Sequence, residues 1–475
     1  MKKISIIGIV LLGSVLSTGL TSCGVLNTNK YKAPIVDGQE LFRGENSTDT
    51  TSIANIPWRE YFKDPNLQAL IEEGIANNYD LRMAVTRIKQ AEVGLTIAKS
   101  AYFPTVALTG QVEHTQISVN GKGKEKVLGY NAGDQWFLGI AVQWEADIWG
   151  KLSSKSKASY AQLMNTHAYR NLIQTSLVSN IATTYYSLLA LDEQLRITKE
   201  TIGLLQESTS TMQDMMQAGM LTRAGVKQSE ALLYSTRVSV PNLEMQIRQL
   251  ENSLSVMLGR KPGPIARMSL HDQSIPTHLE CGVPAQMLAK RPDVFQAEMS
   301  FRYAFEMKNV AQRSMYPKLT LGSSSSAATV GYASNTLSQF FDPKKIIGNI
   351  VGGLTQPLFA GNQLRGQLKV AKAQQEEALL SFEQTVLKAG QEVSNIMYTY
   401  ESSLRKNENR TKQVEALTMA VDDTQSLLKA GEANYTEVLN AEQNLLQAQL
   451  GQVSDKLEQL QAGVNLYRAL GGGVE

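Results

Sequence analysis

Two periods of apolar residues run along the chain. From Lys151 to Gln217 apolar positions return every seven residues at Ile181, Leu188, Leu195 and Ile202. Near the C-terminus they are spaced four and three at Leu446, Leu450, Val453, Leu457, Leu460, Val464 and Tyr467. A narrow apolar stripe on an otherwise polar segment is a coiled-coil seam. The spacing therefore predicts long helices, the first about 100 Å long at ~1.5 Å per residue. Ala84, Ala91 and Ala98 also repeat by seven, and small residues let helix backbones approach closely. No proline interrupts the chain between Pro104 and Pro241, or after Pro357. The second period is two. Val106, Leu108 and Val112 alternate with Thr105, Thr109, Gln111 and Glu113, and Trp136, Leu138, Ile140, Val142 and Trp144 do the same. The runs Pro317 to Val330, which is serine-rich, and Ile346 to Leu358 are their partners. Each is about the 9–11 residues that cross a bilayer as a tilted strand. Periodicity alone leaves open a soluble sheet capping a helical rod.

The two kinds of segment meet at prolines, and they do so twice. "SAYFPTVALTG" passes from helix to strand at Pro104, and "RSMYPKLTLGS" does so at Pro317. Asp80 falls on Asp293, Ala84 on Ala297, Ala91 on Ala304, Ala98 on Ala311 and Pro104 on Pro317, all 213 apart. Gly219 falls on Gly431, Val226 on Val438 and Glu230 on Glu442, all 212 apart. So constant an offset marks a tandem duplication. Each copy holds one hairpin of strands, giving four strands per chain. Membrane barrels start at ~8 strands, and an open sheet edge is forbidden in lipid. Several chains must therefore pool their hairpins.

The N-terminus reads as a processing signal. Lys2 and Lys3 precede an apolar run from Ile4 to Leu20, and "LTSC" ends at Cys23. A positive start, a short apolar core and small residues before the cut describe a secretory signal peptide. "LTSC" is similar to the lipobox in which the cysteine is acylated, and an ordinary signal peptide is the alternative. With 2 Cys in the sequence, acylation of Cys23 leaves Cys281 without an intramolecular partner. One lipid anchor binds reversibly, so a second membrane-binding element is expected. Glu40 to Asn55 is polar and reads as a solvated leader.

Composition narrows the function classes. At 475 residues, 43% hydrophobic and a mean hydropathy of −0.20, this is no helical membrane protein. A net charge of +2 carries no nucleic-acid signature. The 4 His are scattered, and His271 and His278 share a proline-containing connector with no third ligand. "GKGKEK" lacks the Ser or Thr and the strand-to-helix setting of a phosphate loop. "GSSSSA" is no nucleophile elbow. The sequence points to no enzyme, cofactor or metal.

"AYFPTVALTG", "VQWEADIWGKL", "NLEMQIRQLENSLSVMLGRKPG", "LAKRPDVFQAE", "QPLFAGNQLRGQL" and "GEANYTEVLNAEQNLLQAQ" follow one another in this order across nearly all of the mature chain. Together with the duplication they resemble the TolC-family outer membrane factors, in particular the lipoprotein branch serving tripartite pumps of the resistance-nodulation-division type. The resemblance implies a mainly α chain with a membrane β-barrel portion. Its duplicated coiled-coil helices would form an α-barrel tunnel, and three chains would pool four strands each into a 12-stranded barrel. The expected layout is a signal peptide over 1–22, a lipid-anchored leader over 23–60, repeats over 61–260 and 284–475, and a connector over 261–283. The implied location is the outer membrane, with a large periplasmic portion. The implied partners are two further copies of the chain, outer membrane lipid, a periplasmic adaptor (membrane fusion) protein and an inner membrane transporter. The implied function is a passive exit duct for drugs and other small molecules. A type I protein secretion channel and a non-conducting coiled-coil envelope scaffold are the alternatives.

The same resemblance assigns candidate sites. Pro104, Pro317 and Pro357 stand at helix–strand junctions, with Gly361, and Gly150 in the first copy, easing the return. Gly219 with Thr222, and Gly431 with Asn434, form the tip that would meet the adaptor; glycine followed by an N-cap residue type also reads simply as a helical turn. Family members carry acidic residues just after the tip turn, in a motif similar to V-D-V-L-D-A. Here "TEVLNA" places Glu437 and Asn440 there, with Gly225 and Gln228 as their first-copy counterparts. Three Glu437 carboxylates around a threefold axis would favour cations. On charge pattern alone, Glu437 is one more solvated helix-surface acid.

Overall fold

The structure, a computed structural model, describes residues 30–34, 53, 56–115, 133–274, 290–322, 328–335 and 342–474. The first copy contains helices α1 (Trp58–Tyr61), α2 (Pro65–Asn77) and α3 (Tyr79–Ser100), strands β1 (Thr105–Thr115) and β2 (Gly133–Ala146), and helices α4 (Lys151–Gln217) and α5 (Arg223–Met257). The second contains α6 (Pro292–Arg313), strands β3 (Lys318–Leu321), β4 (Ala328–Ser334), β5 (Ile346–Asn349) and β6 (Gly352–Thr355), and helices α7 (Gln363–Ala430) and α8 (Tyr435–Ala469).

The duplication is written in the backbone. Helices α3 and α6 both have 22 residues, α4 and α7 have 67 and 68, and α5 and α8 both have 35. Left-handed residues recur in register: Gly150 with Asn362 (φ 75° and 67°), Gly219 with Gly431 (80° and 77°) and Gly259 with Gly471 (71° and 94°). The members of each pair are 212 positions apart. Gly361 is left-handed as well, at φ 54°. Helix α5 continues through Pro241, which lies in its interior.

The chain divides into two compact units, each drawing on both copies. One comprises Met1–Pro34, Lys89–Met164 and Glu298–Leu380; the other comprises Ile35–Ile88, Asn165–Ala297 and Ser381–Glu475.

The first unit holds an antiparallel sheet. Strand β1 pairs with β2, β2 pairs with β3 and β4, β3 pairs with β6 and β4 pairs with β5. The four expected strands are therefore present as a path; in the second copy Ile350 and Val351 separate β5 from β6, and residues 323–327 between β3 and β4 lie outside the described residues. Gly322 takes a left-handed φ of 71° at the end of β3, and its N–H donates to the Val351 carbonyl in the gap between β5 and β6. Register puts Leu108 opposite Ile140 and Ile140 opposite Val330, so three strands share an apolar row. These side chains are 76%, 49% and 58% exposed. The opposite face of β1 carries Thr105, Thr109, Gln111 and Glu113.

Pro104 and Pro317 each directly precede a strand, β1 and β3. Helices α3 and α6 end a few residues earlier, consistent with proline's inability to continue a helical ladder and its tolerance at a strand start. The junctions are also matched by hydrogen bonds. The Trp144 indole donates to the Tyr102 carbonyl at 2.8 Å, and the Gln356 amide donates to the Met315 carbonyl at 3.0 Å. Trp149 adds a bond to the Pro317 carbonyl at 2.7 Å. Pro357 lies between β6 and α7, on the return to helix. Tyr31 packs on Phe305 of α6 with ring centroids 5.7 Å apart, and its hydroxyl donates to Glu298 at 3.1 Å.

The second unit holds the main core. Ile181, Leu188 and Leu189 of α4, Leu254 of α5, Val393 of α7, and Leu460, Val464 and Leu466 of α8 are buried together. All seven seam positions of α8 join this cluster, Leu446, Leu450 and Leu457 at its margin. The solvated leader read over Glu40 to Asn55 is corrected at Ile53, which is buried in this core together with Trp58 just beyond it. Beside them Tyr61 stacks on Tyr467 at 4.4 Å, and its hydroxyl donates to the Gly463 carbonyl at 2.9 Å. Apolar residues at 53, 58, 61 and 62 carry that burial despite the polar run before them.

Two buried charges tie distant segments together. Asp64 caps α2 by accepting the N–H groups of Asn66 and Leu67 at 2.8 and 3.3 Å. Its other oxygen accepts the Tyr185 hydroxyl at 2.6 Å and the Gln273 amide at 2.8 Å. Arg291 pairs with Asp293 and Glu392 at 2.7 Å each and donates to the Ala469 carbonyl at 2.6 Å, joining α6, α7 and the end of α8. Asp64→Ala removes a cap and leaves two buried donors unpaired, for a loss of about 3 kcal/mol. The thermal unfolding midpoint in mild detergent should fall clearly, and Asp64→Asn, which keeps an acceptor, should lose less.

Candidate functional site

Two helical turns in the second unit carry the tip candidates, and each is closed by the same backbone device. At the end of α4 the Gly219 N–H donates to the Met216 carbonyl and the Met220 N–H to Met215, at 3.0 and 2.9 Å. At the end of α7 the Gly431 N–H donates to Leu428 and the Glu432 N–H to Leu427, again at 3.0 and 2.9 Å. Both are Schellman caps, which need a left-handed residue and so favour glycine. The next helix then starts on a capping side chain. The Thr222 hydroxyl accepts the Gly225 N–H at 3.4 Å, and the Asn434 side chain accepts the Thr436 N–H at 3.2 Å.

The turns are supported by a small core of their own. Met212 of α4, Val226 of α5, Leu428 of α7, and Val438 and Leu439 of α8 are buried against one another, with Tyr435 and Leu221 at the margin. This leaves a polar surface on the opposite side of α8. Glu437 and Asn440 are exposed three residues apart, on one helix face, and Gln228 is exposed on α5. Gly225 is placed differently. It is buried, and a Cβ there would lie 2.9 Å from a Leu221 methyl and 3.1 Å from the Tyr435 ring. The duplication equates it with Glu437, but its setting is a packing position and not a surface one. Sequence reasoning passed over Tyr435, whose proximity to Gly225 joins the two turns. Its place immediately after the cap Asn434 was the available signal.

Cys23, Cys281 and His278 lie outside the described residues. The His271 ring is hydrogen-bonded to the Glu193 carboxylate at 3.1 Å. Among the described residues, no group of three His, Cys, Asp or Glu side chains is placed to hold a metal ion. No described helix is long and apolar enough to cross a membrane.

The family model described as outer membrane efflux protein matches residues 70–260 and 283–472. The chain belongs to the outer membrane efflux protein family. It is similar to the pyoverdine export outer membrane protein OpmQ of Pseudomonas putida, 30% identical over 88% of each chain. It is also similar to the probable outer membrane lipoprotein SilC of Salmonella typhimurium, 26% identical over 96% of each. Among solved structures it shares the fold of the MtrE outer membrane channel of Neisseria gonorrhoeae. That likeness has a TM-score of 0.82 at 23% identity, covering 94% of this chain and 98% of the other. As a member of this efflux family the chain is an outer membrane channel of an efflux system, and the family model matches both sequence copies.

Space around Gly219 and Gly431 is open, with nothing within 4 Å of a built Cβ. A side chain there is opposed only by the left-handed backbone, at about 1–2 kcal/mol. Gly431→Ala should therefore speed hydrogen exchange of amides 427–436 roughly tenfold and leave exchange in the Ile181–Leu188 core unchanged.

Proposed function

We propose that the chain is a passive exit duct for drugs and other small molecules, working as a homotrimer whose pooled strands close a single 12-stranded barrel. The observation that carries this reading is the sheet of the first unit. It has an apolar row across Leu108, Ile140 and Val330, a polar opposite face on β1, and outer edges on β1 and on β5 and β6 that pair with no described strand. An apolar face suits lipid, and edges in lipid must be paired by other chains. Conductance across planar bilayers tests it: the purified protein should form steady channels, and a scaffold would give none.

The tip turns suit docking to the hairpin end of a periplasmic adaptor, which would link the duct to an inner membrane transporter. Their backbones are fixed by paired caps, and the space at both glycines is open. Glu437 is proposed as the acidic ring of the periplasmic gate. It is exposed on a face that the tip core leaves polar, and Asn440 beside it adds no charge. Glu437→Gln should weaken both cation selectivity and block by multivalent cations from the periplasmic side, with expression unchanged. Unaltered selectivity and block would remove Glu437 from the pore.

Cys23 is proposed as the lipid-bearing N-terminus of the mature chain, on the strength of "LTSC" after the apolar run. Cys23→Ser should abolish fatty-acid labelling while the protein remains in the outer membrane fraction, because the barrel holds it there.

A further inference from the structure

Basic side chains collect on the first unit where the second-copy strands return to helix. Arg365, Lys369 and Lys372 follow one another at i, i+4 and i+7 along the start of α7, so they share one face of it. All three are exposed, and none forms an ion pair among the described residues. Lys308 of α6 extends the patch. Its ammonium lies 4.6 Å from the centroid of the Phe305 ring. Burial, then the Lys372 ammonium, holds the Lys308 pKa below the usual lysine range, with Glu306 partly opposing. The acids of these segments are engaged or set apart. Glu306 is buried and accepts the Ser154 hydroxyl at 2.8 Å, and Glu298 accepts the Tyr31 hydroxyl at 3.1 Å. Glu376 and Glu377 follow about a turn beyond Lys372.

Folding does not require these bases. The duplication sets Arg365, Lys369 and Lys372 on Ser153, Lys157 and Tyr160, 212 positions earlier, and Lys308 on the buried Leu95, 213 earlier. The same helices therefore form in the first copy with one base in place of four. Arg365 also opposes the dipole at the start of α7, whose first turn holds no acid. Like charges gathered without counter-charges fit an anionic partner.

The order of residues along the chain identifies that partner. Ile346, Ile347 and Leu354 of the strands are exposed, then Leu358 and Phe359 at 96% and 91%, and then come the three bases. Apolar strand, aromatic boundary and bases follow the layers of a bilayer from tails to headgroups. Helix Cβ bonds lean toward the N-terminus, so the bases of α7 reach back toward the strands. The leader marks this surface as the outer one. Tyr31, eight residues after Cys23, packs on Phe305, the same ring that carries Lys308. A strap running from a lipid anchor lies on the outside of a duct. Lys30 and Lys32, on either side of Tyr31, are exposed as well. We propose that Arg365, Lys369, Lys372 and Lys308 bind the phosphates of anionic phospholipids where the strands leave the membrane on the periplasmic side. The inference rests on the reading of the sheet as part of a membrane barrel. A lipid phosphate would supply the counter-charge that no acid of this patch provides.

Calorimetric titration of the full-length protein in mild detergent tests the proposal, with dioctanoyl phosphatidylglycerol as probe and dioctanoyl phosphatidylcholine as its analogue without net charge. The anionic lipid should bind at least tenfold more tightly, and its advantage should shrink as salt rises from about 50 to about 500 mM. Arg365→Gln, Lys369→Gln and Lys372→Gln combined should erase the preference without lowering the thermal midpoint, because the three side chains are exposed. Lys261→Gln, on the second unit, should leave the preference unchanged. Insertion into phosphatidylcholine vesicles, read by flotation, reports separately on the barrel and should survive the triple substitution. Overturning results are no measurable binding of the anionic lipid, equal affinity for both lipids, or a preference that the triple variant keeps. Displacement of the lipid by equimolar inorganic phosphate would also overturn it, by making free phosphate the ligand.

Discussion

Val453, Leu460, Val464 and Tyr467 stand on one stripe of α8 and enter the same core as Ile181 and Leu188 of α4, Leu254 of α5 and Trp58 of α1. Helices of 35 to 68 residues gain most of their stability from such packing and little from intrinsic propensity. The seam therefore decides more than the core. By holding α4, α5 and α8 side by side it fixes where those helices can end. Chain reversal is then confined to a few residues, and only a left-handed glycine followed by a capping side chain closes so short a turn. The paired caps at Gly219 and Gly431 follow from that constraint.

Duplication gave the molecule two copies of every such solution, and the copies have since been put to different uses. Where Trp144 ties a junction with an indole, Gln356 does so with an amide. Where α8 presents Glu437 to solvent, α5 has Gly225 tucked under Tyr435. Lys227 pairs with Glu230, whereas the matching Leu439 offers no charge to the duplicate acid Glu442. The backbone geometry tolerates each change because the hydrogen bonds that hold the turns are made by main-chain atoms. Side chains are thereby released to differ.

Much of this was legible in the sequence, because its signals are periodic. Helix α4 spans the run expected from the seven-residue spacing, and Pro104 and Pro317 mark the strand starts to within a residue. What was not legible depended on contacts between segments far apart in sequence. The polar run before Asn55 hid the burial of Ile53 and Trp58, since a few apolar residues reaching another element's seam leave no period of their own. Strands β5 and β6 part at Ile350 and Val351, where the Val351 carbonyl accepts the Gly322 N–H, a contact that no alternation pattern records. Gly225 looked equivalent to Glu437 by offset. Its burial arises from Tyr435, on the other turn.

Asp64 joins residues 64, 185 and 273, and the core beside it is completed by Val453 to Leu470. A chain delivered from its N-terminus thus exposes Tyr185, Leu188 and Leu189 long before their partners on α8 arrive. Closing contacts of such long sequence separation makes folding slow and leaves the half-made core open to aggregation. The price of a core shared between two copies is that neither copy can finish folding alone. That surface stays unburied until α8 has emerged and folded back onto α4.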